Sequence, residues 1–497
     1  MGVATLLLIL LIAIIIYAIF QSGYFRCALL AFQIPGPKAI PFIGNCLIVK
    51  EKDLLGNIIA TGYKTYGPIS RLWFGFLPFF VIFEPEHLQQ ILSSHKHTEK
   101  SFLYKLLHNF LGDGLITSSG DKWLAHRKFT TPIFHINILE KFIETFSDSA
   151  KEFLIKLQNK NEINVTSFVN ECIIDVLNES VLGVLVKEKQ KKSPFREGKV
   201  VAPHRIANPW LLFDWIYQLT SSASDELDQK KRLDEFVRKI IQERRNTEEY
   251  VDDMKRKCLL DYLIDISKTH PDFDEKDIID EACTFMLAGQ DSVGATLAFT
   301  IFLLAQHQNH QAKCYDEIKY IFGDDERTPT INDLKEMKHL EMCIKETLRL
   351  YPAVPIMARH LGGEVKCGNV TLPSGSEIFV IPYATHRLEH IYPNPENFIP
   401  ERFLPEECDK RNPYAFLPFS AGPRNCIGHR FAMIELKTIV STILRKYRIT
   451  SVPGKEIIEP SFRITLRARG GIFVQFEERN NNETSFENKN YNLFTRG

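Results

Sequence analysis

The distribution of apolar and polar residues along this 497-residue chain predicts a mainly α fold with a minor β region. Residues 71–83 are aromatic and β-branched around a central Gly and Pro, which predicts a pair of strands. From Glu86 to about residue 350 the pattern is mostly helical, and short strand patterns return at residues 378–381 and 472–476. From the N-terminus to the C-terminus, the pattern predicts a small β-rich part, a large helical body and late short strands.

The longest helical pattern covers residues 274–307. Residues 285–305 are apolar almost all round, but Gln290, Asp291 and Ser292 interrupt them. An unpaired Asp near a bilayer centre is expensive, so we interpret this segment as a buried core helix and not as a second membrane span. Ala288 and Gly289 leave room beside the helix, and the acid and the alcohol that follow can relay protons into it. The alternative is a polar kink in a core helix.

The N-terminus predicts a membrane anchor, because residues 3–20 carry no charge and Thr5 is their one polar side chain. A cleaved signal peptide, the alternative, would need a basic start, whereas the first basic residue is Arg26. The positive-inside rule then places the main body in the cytosol. We expect a transmembrane anchor helix at 1–22, a proline-rich hinge at 23–45 around Ile34-Pro-Gly-Pro-Lys38 (or an ordinary loop), a globular domain at 46–478 and a disordered tail at 479–497.

Composition excludes several classes of protein. The formal net charge is zero, so nothing indicates nucleic-acid binding. The ten cysteines are scattered without a C-x-x-C pair, which argues against a disulfide framework and against a zinc module.

The strongest motif is Phe419-Ser-Ala-Gly-Pro-Arg-Asn-Cys-Ile-Gly428, which a helical pattern follows at residues 430–446. Glycines allow close backbone approach to a flat cofactor. Loop N–H groups and a helix N-terminus stabilise a thiolate at Cys426. A haem iron requires this setting of a thiolate ligand, whose electron donation favours O–O cleavage. The alternative, one more buried structural cysteine, does not explain the offsets of Phe419, Gly422, Arg424 and Gly428. The loop resembles the haem loop of the cytochrome P450 superfamily.

The resemblance implies the cytochrome P450 fold and haem b with Cys426 as axial metal ligand. It also implies roles for other residues. Ala288 and Gly289 would border the distal haem face, and Asp291 and Ser292 would deliver protons there. The haem propionates would bind, in the order of the motif matches, to Arg424, to Arg127 and Trp123 of Trp123-Leu-Ala-His-Arg127, and to Arg359.

A structural network is implied behind the haem loop. The i, i+3 spacing of Glu346-Thr-Leu-Arg349 places carboxylate and guanidinium on one helix face. In the family such a pair forms a buried network with the arginine of a later segment, which matches Arg402 in Pro400-Glu-Arg-Phe403. Bidentate geometry can hold such a network rigid.

Several segments are similar to the family 4 clan, including its arthropod members. Ala288 stands where many family 4 fatty-acid hydroxylases have a glutamate, and Ser292 and Val293 replace the usual threonine pair. The resemblance implies a microsomal monooxygenase in the endoplasmic reticulum membrane, with its catalytic domain (residues 46–478) facing the cytosol. It would insert one oxygen atom of O2 into a fatty acid, terpenoid, sterol or xenobiotic.

Electrons would come from NADPH through NADPH–cytochrome P450 reductase, with cytochrome b5 as a second candidate donor. A cationic set could dock these acidic partners: Lys122, Lys128, Arg430, Lys437, Arg445 and Lys446. Two alternatives remain open, a reductase-independent haem-thiolate isomerase or dehydratase, and a non-catalytic haem protein. The Asp291–Ser292 pair argues against the isomerase, because that chemistry needs no proton relay.

Overall fold

The computed structural model describes residues 10, 23–50, 60–158, 162–184, 194–197, 201–246 and 257–479. The predicted anchor at 1–22 and tail at 479–497 therefore lie almost wholly outside the described residues. Within those ranges the helices of seven or more residues are α1 Tyr24–Gln33, α2 Ala60–Tyr66, α3 Pro85–Leu92, α4 Gly120–Thr130, α5 Ile143–Leu157, α6 Val165–Ser180, α7 Ser221–Asn246, α8 Leu259–Thr269, α9 Glu275–Gln306, α10 Gln308–Phe322, α11 Lys338–Leu350 and α12 His429–Lys446.

Shorter helical turns connect these helices. The short α-helical turns are His108–Leu111, Ile136–Leu139, Ala202–Ala207, Asp214–Tyr217, Ile331–Glu336, Pro382–Thr385 and Pro405–Cys408. The 3-10 turns are Cys46–Lys50, His95–His97, Phe102–Leu107, Thr131–Phe134, Glu140–Phe142, Pro194–Glu197, Pro209–Leu212, Pro400–Phe403, Pro413–Ala415 and Gly422–Arg424.

Four small sheets complete the described fold. The strands are β1 Ile69–Phe74, β2 Leu77–Ile82, β3 Glu162–Asn164, β4 Met357–His360, β5 Val365–Cys367, β6 Val370–Leu372, β7 Glu377–Val380, β8 Tyr447–Ser451, β9 Glu459–Arg463, β10 Thr465–Arg469 and β11 Phe473–Glu478. They pair in the orders β1-β2-β7-β4, β3-β11-β8, β10-β9 and β5-β6. The strand pair predicted at 71–83 is the hairpin β1–β2, and the late strand patterns are β7 and β11.

The central helix α9 is a core helix, as its interrupted apolar pattern predicted. Residues 277–286 and 293–305 are buried. Its N-terminus is fixed by a capping box, in which Asp277 N–H donates to Asp274 Oδ1 at 2.9 Å. Among the described helices it is the one long and apolar enough to cross a membrane, but 67% of its most apolar window is buried inside the protein.

The segment predicted as a hinge at 23–45 is instead packed onto the globular body. Residues 24–33 form α1, and Cys27, Ala28 and Ala31 are buried. They join a core beneath the face of β2 that carries Phe80 and Ile82. The prolines beyond α1 also contact β1, since Arg71 N–H donates to the carbonyl of Pro35 at 3.0 Å. The expectation of a separate spacer is corrected, because the apolar positions of α1 bury against the sheet.

Candidate active site

The loop before α12 holds Cys426 through backbone bonds. The N–H of Cys426 donates to the carbonyl of Phe419 at 2.8 Å, which closes the loop. His429, the first residue of α12, lies with Nδ1 3.1 Å from the carbonyl of Cys426. The thiol is thus placed at the N-terminal end of an 18-residue helix, where the helix dipole favours negative charge.

The Cys426 thiol lines an enclosed space. All ten cysteines lie in the described residues, and Cys426 is the one whose side chain is exposed. Yet burial raises the pKa of the Cys426 thiol, while the N–H of Gly428 and the charge of Arg127 act to lower it. Surface that is open and at the same time removed from bulk water indicates a cavity in which a ligand can contact the sulfur.

Gly422 and Gly428 of the loop differ in the space that the protein leaves for a side chain. Gly422 has a φ of +68°, and a Cβ there would lie 1.8 Å from the carbonyl oxygen of Leu92. No other residue fits that position. Gly428, in contrast, would place its Cβ in ordinary contact, 3.8 Å from Phe134. The protein around Gly428 leaves room for a side chain, which is the arrangement expected if a cofactor requires the space.

Three cations, of which Arg359 and Arg424 are buried, form a cluster beside the loop. Arg424 donates to the carbonyls of Thr98, Leu115 and Ser118 at 2.8, 3.2 and 2.6 Å. Its guanidinium lies 4.0 Å from the ring centroid of Trp123. Burial, followed by the charge of Arg359, lowers the pKa of Arg424 to about 9, so it stays protonated at neutral pH. Burial likewise lowers the pKa of Arg359, which is 1% exposed.

Lys100 is the third member, and the sequence pattern did not single it out. Burial and the charges of Arg359 and Arg424 lower the pKa of Lys100 well below its usual value. Its ammonium lies 4.2 Å from the ring centroid of Tyr104. Like charges crowded in a desolvated place are unfavourable unless an anion balances them. A doubly anionic group, such as the propionates of a haem, fits this cluster.

Arg127 is held toward the loop by hydrogen bonds. Its two terminal nitrogens donate to the carbonyl and to the side-chain oxygen of Asn425, at 2.8 and 2.6 Å. The preceding residue, His126, pairs through Nδ1 with the buried carboxylate of Glu281 at 2.7 Å. This pair fixes α4, and with it Trp123 and Arg127, against α9. No sequence motif predicts this pair, because His126 and Glu281 are 155 residues apart.

The centre of α9 opens onto a space. Ala288 is exposed and residues 287 and 289–292 are half-buried, although the helix is buried on both sides of them. The hydroxyl of Ser292 donates to the carbonyl of Ala288 at 2.7 Å. Gly289 faces α6 and not this space, because a Cβ there would lie 2.9 Å from Cδ2 of Leu177. Its small size permits close packing of α6 on α9.

Asp291 is paired, which the sequence did not reveal. Its Oδ1 accepts a hydrogen bond from Nη2 of Arg467, and a second nitrogen of Arg467 donates to Asn170 at 3.3 Å. Arg467 belongs to β10, so the β9–β10 hairpin borders the open part of α9. The carboxylate of Asp291 keeps 32% of its surface exposed.

One aromatic ring connects the thiol loop and the open part of α9. Phe134 is the nearest neighbour of the Gly428 Cβ position, at 3.8 Å. The same ring lies edge-to-face against Phe285, with centroids 5.4 Å apart. Phe285 is one turn before Ala288 on α9. The loop and the polar patch of α9 are therefore neighbours, as a haem between them requires.

The network predicted behind the loop is formed. Arg349 and Glu346 make two bonds of 2.7 and 2.8 Å, and both side chains are fully buried. Arg349 also donates to the carbonyls of His386 and Asn397. Arg402 Nε lies 3.5 Å from Glu346 Oε1, an ion pair outside good hydrogen-bond geometry, while its Nη2 donates to Pro393. The structure brings all three residues together.

His386 connects this network to the thiol loop. The N–H of Leu417 donates to His386 Nε2 at 2.8 Å, so Nδ1 carries the proton that the carbonyl of Arg349 accepts at 3.2 Å. Burial and the charge of Arg349 lower the pKa of His386 to about 3. A neutral imidazole thus links the end of α11 to the start of the loop.

The cationic set predicted as a docking surface is reduced. Lys437 is buried, where it donates to the carbonyl of Leu334 at 2.8 Å and pairs with Glu341. Lys122 pairs with Asp277 at 2.8 Å and with Asp113 at 3.2 Å. Lys128, Arg430 and Lys446 remain exposed. Lys437 and Lys122 are corrected as docking candidates, because their charges are satisfied within the fold.

Comparison with known proteins identifies the family of this chain. The profile of the Cytochrome P450 family matches residues 34–474. The chain is 53% identical to "Probable cytochrome P450 4aa1" of Drosophila melanogaster, with 96% of both chains covered. It is 37% identical to "Cytochrome P450 4c3" of the same fly, covering 90% of this chain and 89% of the relative. It is 34% identical to human "Cytochrome P450 4V2", covering 90% of each. These matches confirm the predicted likeness to family 4. The chain belongs to the cytochrome P450 family and is a haem b-dependent monooxygenase.

Proposed function

We propose that this monooxygenase oxidises a lipophilic small molecule while bound to a membrane, and that Cys426 would hold the haem iron as a thiolate ligand. The observation that carries the proposal is the enclosed Cys426 thiol, whose loop is connected to α9 beside its open part through Phe134 and Phe285. When bound, haem supplies the activation of O2 and the transfer of one oxygen atom to substrate. The protein residues bind the cofactor, exclude water and supply protons.

Each residue has one task in this proposal. Arg424, Arg359, Arg127 and Lys100 would hold the propionates, and the ring of Trp123 supports the guanidinium of Arg424. Gly428 leaves the space above the sulfur, and its N–H stabilises the thiolate. Asp291 exchanges protons with solvent at the hairpin edge, while Ser292 passes them into the cavity. Ala288 borders that cavity and carries no carboxylate that could form an ester with the cofactor.

An acidic electron-transfer partner would bind near the loop. Lys128 and Arg430 are exposed and lie within a few residues of Arg127 and Cys426 along the chain. Complementary charge of this kind steers association more than it adds affinity. NADPH–cytochrome P450 reductase and cytochrome b5 are the partners that we propose.

Exposed apolar residues support a membrane-bound arrangement in the endoplasmic reticulum. They form two groups along the chain, at residues 29–76 and 210–219, and the helical turns Cys46–Lys50 and Ala202–Ala207 near them pack against each other. The exposed side chains near these segments are Leu29, Phe32, Ile40, Phe42, Phe76, Trp210, Phe213, Trp215 and Leu219. Large exposed apolar patches mark interaction sites. With an anchor at 1–22, this surface would rest on the cytosolic face of the bilayer.

The membrane proposal is tested by deleting residues 1–22, which leaves α1 intact. The truncated protein should partly remain on membranes through the apolar surface and leave them when Phe42 and Trp215 are also replaced by serine. Protease treatment of sealed microsomes should digest the main body of the full chain. Protection of that body would contradict the cytosolic orientation.

The catalytic proposal is tested with the full chain in lipid nanodiscs. Fatty acids, sterols, terpenoids and hydrocarbons are screened for a Soret shift, and the binders are then incubated with purified reductase and NADPH. NADPH-dependent hydroxylated product supports a monooxygenase acting on that class. Rearrangement of a peroxide substrate without NADPH would favour the isomerase, and binding without turnover would favour a non-catalytic haem protein.

A further inference from the structure

Away from the candidate active site, the neighbouring helices α10 and α11 each carry a histidine and a cysteine. The pair on α10 faces the pair on α11. His310 and Cys314 are four residues apart on α10, and His339 and Cys343 are four residues apart on α11. The i, i+4 spacing puts both members of each pair on one helix face. The ligand atoms of His310, His339 and Cys343 all lie within 4.8 Å of one another.

Two distances within this cluster match those of a tetrahedral metal site, and the sulfur of Cys314 lies outside the group of three and adjoins it through Cys343. Nδ1 of His310 lies 3.4 Å from Nε2 of His339, and the sulfurs of Cys314 and Cys343 are 3.7 Å apart. Zinc–nitrogen bonds of about 2.0–2.1 Å and zinc–sulfur bonds of about 2.3 Å place two nitrogens about 3.3 Å apart and two sulfurs about 3.8 Å apart on a tetrahedron. Two pairs of side chains on different helices meet both separations.

The surroundings suit a structural ion. His310, Cys314 and Cys343 are buried, whereas His339 keeps exposed surface through which an ion can enter. The nearby charges balance each other, because Lys313 pairs with Glu401 at 3.0 Å. Glu401 Oε1 also lies 3.8 Å from His310 Nδ1.

We propose that His310, His339, Cys314 and Cys343 bind one Zn²⁺ ion. Two neutral imidazoles, two thiolates and a divalent cation have no net charge, which makes the complex compatible with a buried position. Mixed nitrogen and sulfur ligands in tetrahedral geometry select zinc among the common divalent ions. Both thiols release their protons to solvent on binding, and no oxidation or reduction is involved. The sequence pattern argued against a zinc module because the cysteines are scattered without a C-x-x-C pair, and the two histidine–cysteine pairs lie 29 residues apart.

The position of the site defines its role. Cys343 is three residues before Glu346 on α11, so the ion would tie α10 to the helix that carries the Glu346–Arg349 pair. It would stabilise the support of the thiol loop without contacting the reacting groups. Removing zinc should therefore lower the thermal midpoint of the holoenzyme and leave the thiolate spectrum of the folded protein unchanged.

The test is the zinc content of the full-length holoenzyme, purified without a histidine tag or chelators. Haem iron serves as the internal standard in plasma mass spectrometry. We expect about one zinc per haem in the parent and in Cys258→Ala, a control at a buried cysteine outside the cluster. His339→Ala and Cys343→Ala should lower the ratio at least fivefold. Unchanged ratios in both variants would overturn the site, as would a parent that takes up no zinc from excess ZnCl2.

A second measurement uses the parent alone and does not depend on how the variants fold. X-ray absorption at the zinc edge should give two sulfur and two nitrogen neighbours at about 2.3 and 2.0–2.1 Å. A shell of nitrogen and oxygen only would mean surface-bound zinc and overturn the proposal. Detection of a Cys314–Cys343 disulfide by thiol trapping in the isolated protein would also overturn it, because oxidised sulfurs cannot bind the ion.

Discussion

Arg467 Nη2 on β10 donates to Asp291 Oδ1 on α9, which ties the β9–β10 hairpin to the polar opening of the central helix. The pair is only partly buried, with 22% and 32% of the two side chains exposed. Asp291 is thus fixed at the boundary between solvent and the enclosed space near Cys426. A carboxylate so placed can exchange protons with solvent water, as the proposed proton delivery requires.

Asp291→Asn should keep the haem spectrum and slow product formation, by up to about 10²-fold, because an amide cannot cycle protons. More of the NADPH consumed should end as hydrogen peroxide. Asp228→Asn, at an exposed acid of α7, is the matched control. If Asp291→Asn couples NADPH to product as well as the parent does, the proton role of Asp291 is wrong.

Arg467→Met should also slow product formation and raise peroxide release, because Asp291 loses the contact that positions it. In the double variant with Asp291→Asn the two effects should not add, because residues in direct contact act as a unit. The measurement is peroxide formed per NADPH in all four proteins. Fully additive effects would mean that Arg467 acts independently of Asp291.

Glu346→Gln should destabilise the holoenzyme by about 3–5 kcal/mol, because it leaves Arg349 buried without a countercharge. Haem content per protein and the thermal midpoint should both fall. Asp148→Asn offers a close control, since Asp148 and Lys151 form an exposed pair with the same i, i+3 spacing. Equal losses in the two variants would contradict a special role for the buried network.

Gly422→Ala should abolish haem incorporation, because its Cβ would lie 1.8 Å from the carbonyl oxygen of Leu92. Gly454→Ala has a similar backbone, with φ of +80°, and nothing within 4 Å of the new Cβ. It therefore reports the strain of a positive φ alone. The haem content of Gly454→Ala should stay close to that of the parent. Normal haem incorporation in Gly422→Ala would show that the loop can shift away from α3.

The low pKa of His386 predicts that the folded protein loses stability in acid. Its folded-state pKa of about 3 is below the unfolded value of about 6.5, so protons favour the unfolded chain. The stabilising contribution is complete above about pH 6.5 and declines by about 1.4 kcal/mol for each pH unit below it. His386→Asn should flatten this part of the pH profile of the thermal midpoint, whereas exposed His95→Asn should not. Identical slopes in all three proteins would exclude His386 as the group responsible.

The sequence predicted the parts of the site that depend on local spacing. The loop around Cys426 and the Glu346–Arg349 pair are short motifs, and their geometry follows from a turn and a helix face. Arg467 could not be paired with Asp291, because 176 residues separate them. Lys100 carried no motif, and its role follows only from its closeness to Arg359 and Arg424. The proline-rich pattern suggested a spacer, whereas the small residues of α1 fit against β2.

We propose Cys426 as the thiolate ligand of the haem, and the carbon monoxide difference spectrum of Cys426→Ser tests this assignment most directly. A serine oxygen cannot reproduce the electron donation of a thiolate, so the red-shifted thiolate band should disappear. Cys408→Ser, at the half-buried cysteine outside the loop, should retain it. Loss of the band in Cys426→Ser alone is the predicted result. An unchanged red-shifted Soret band in that variant would contradict the assignment.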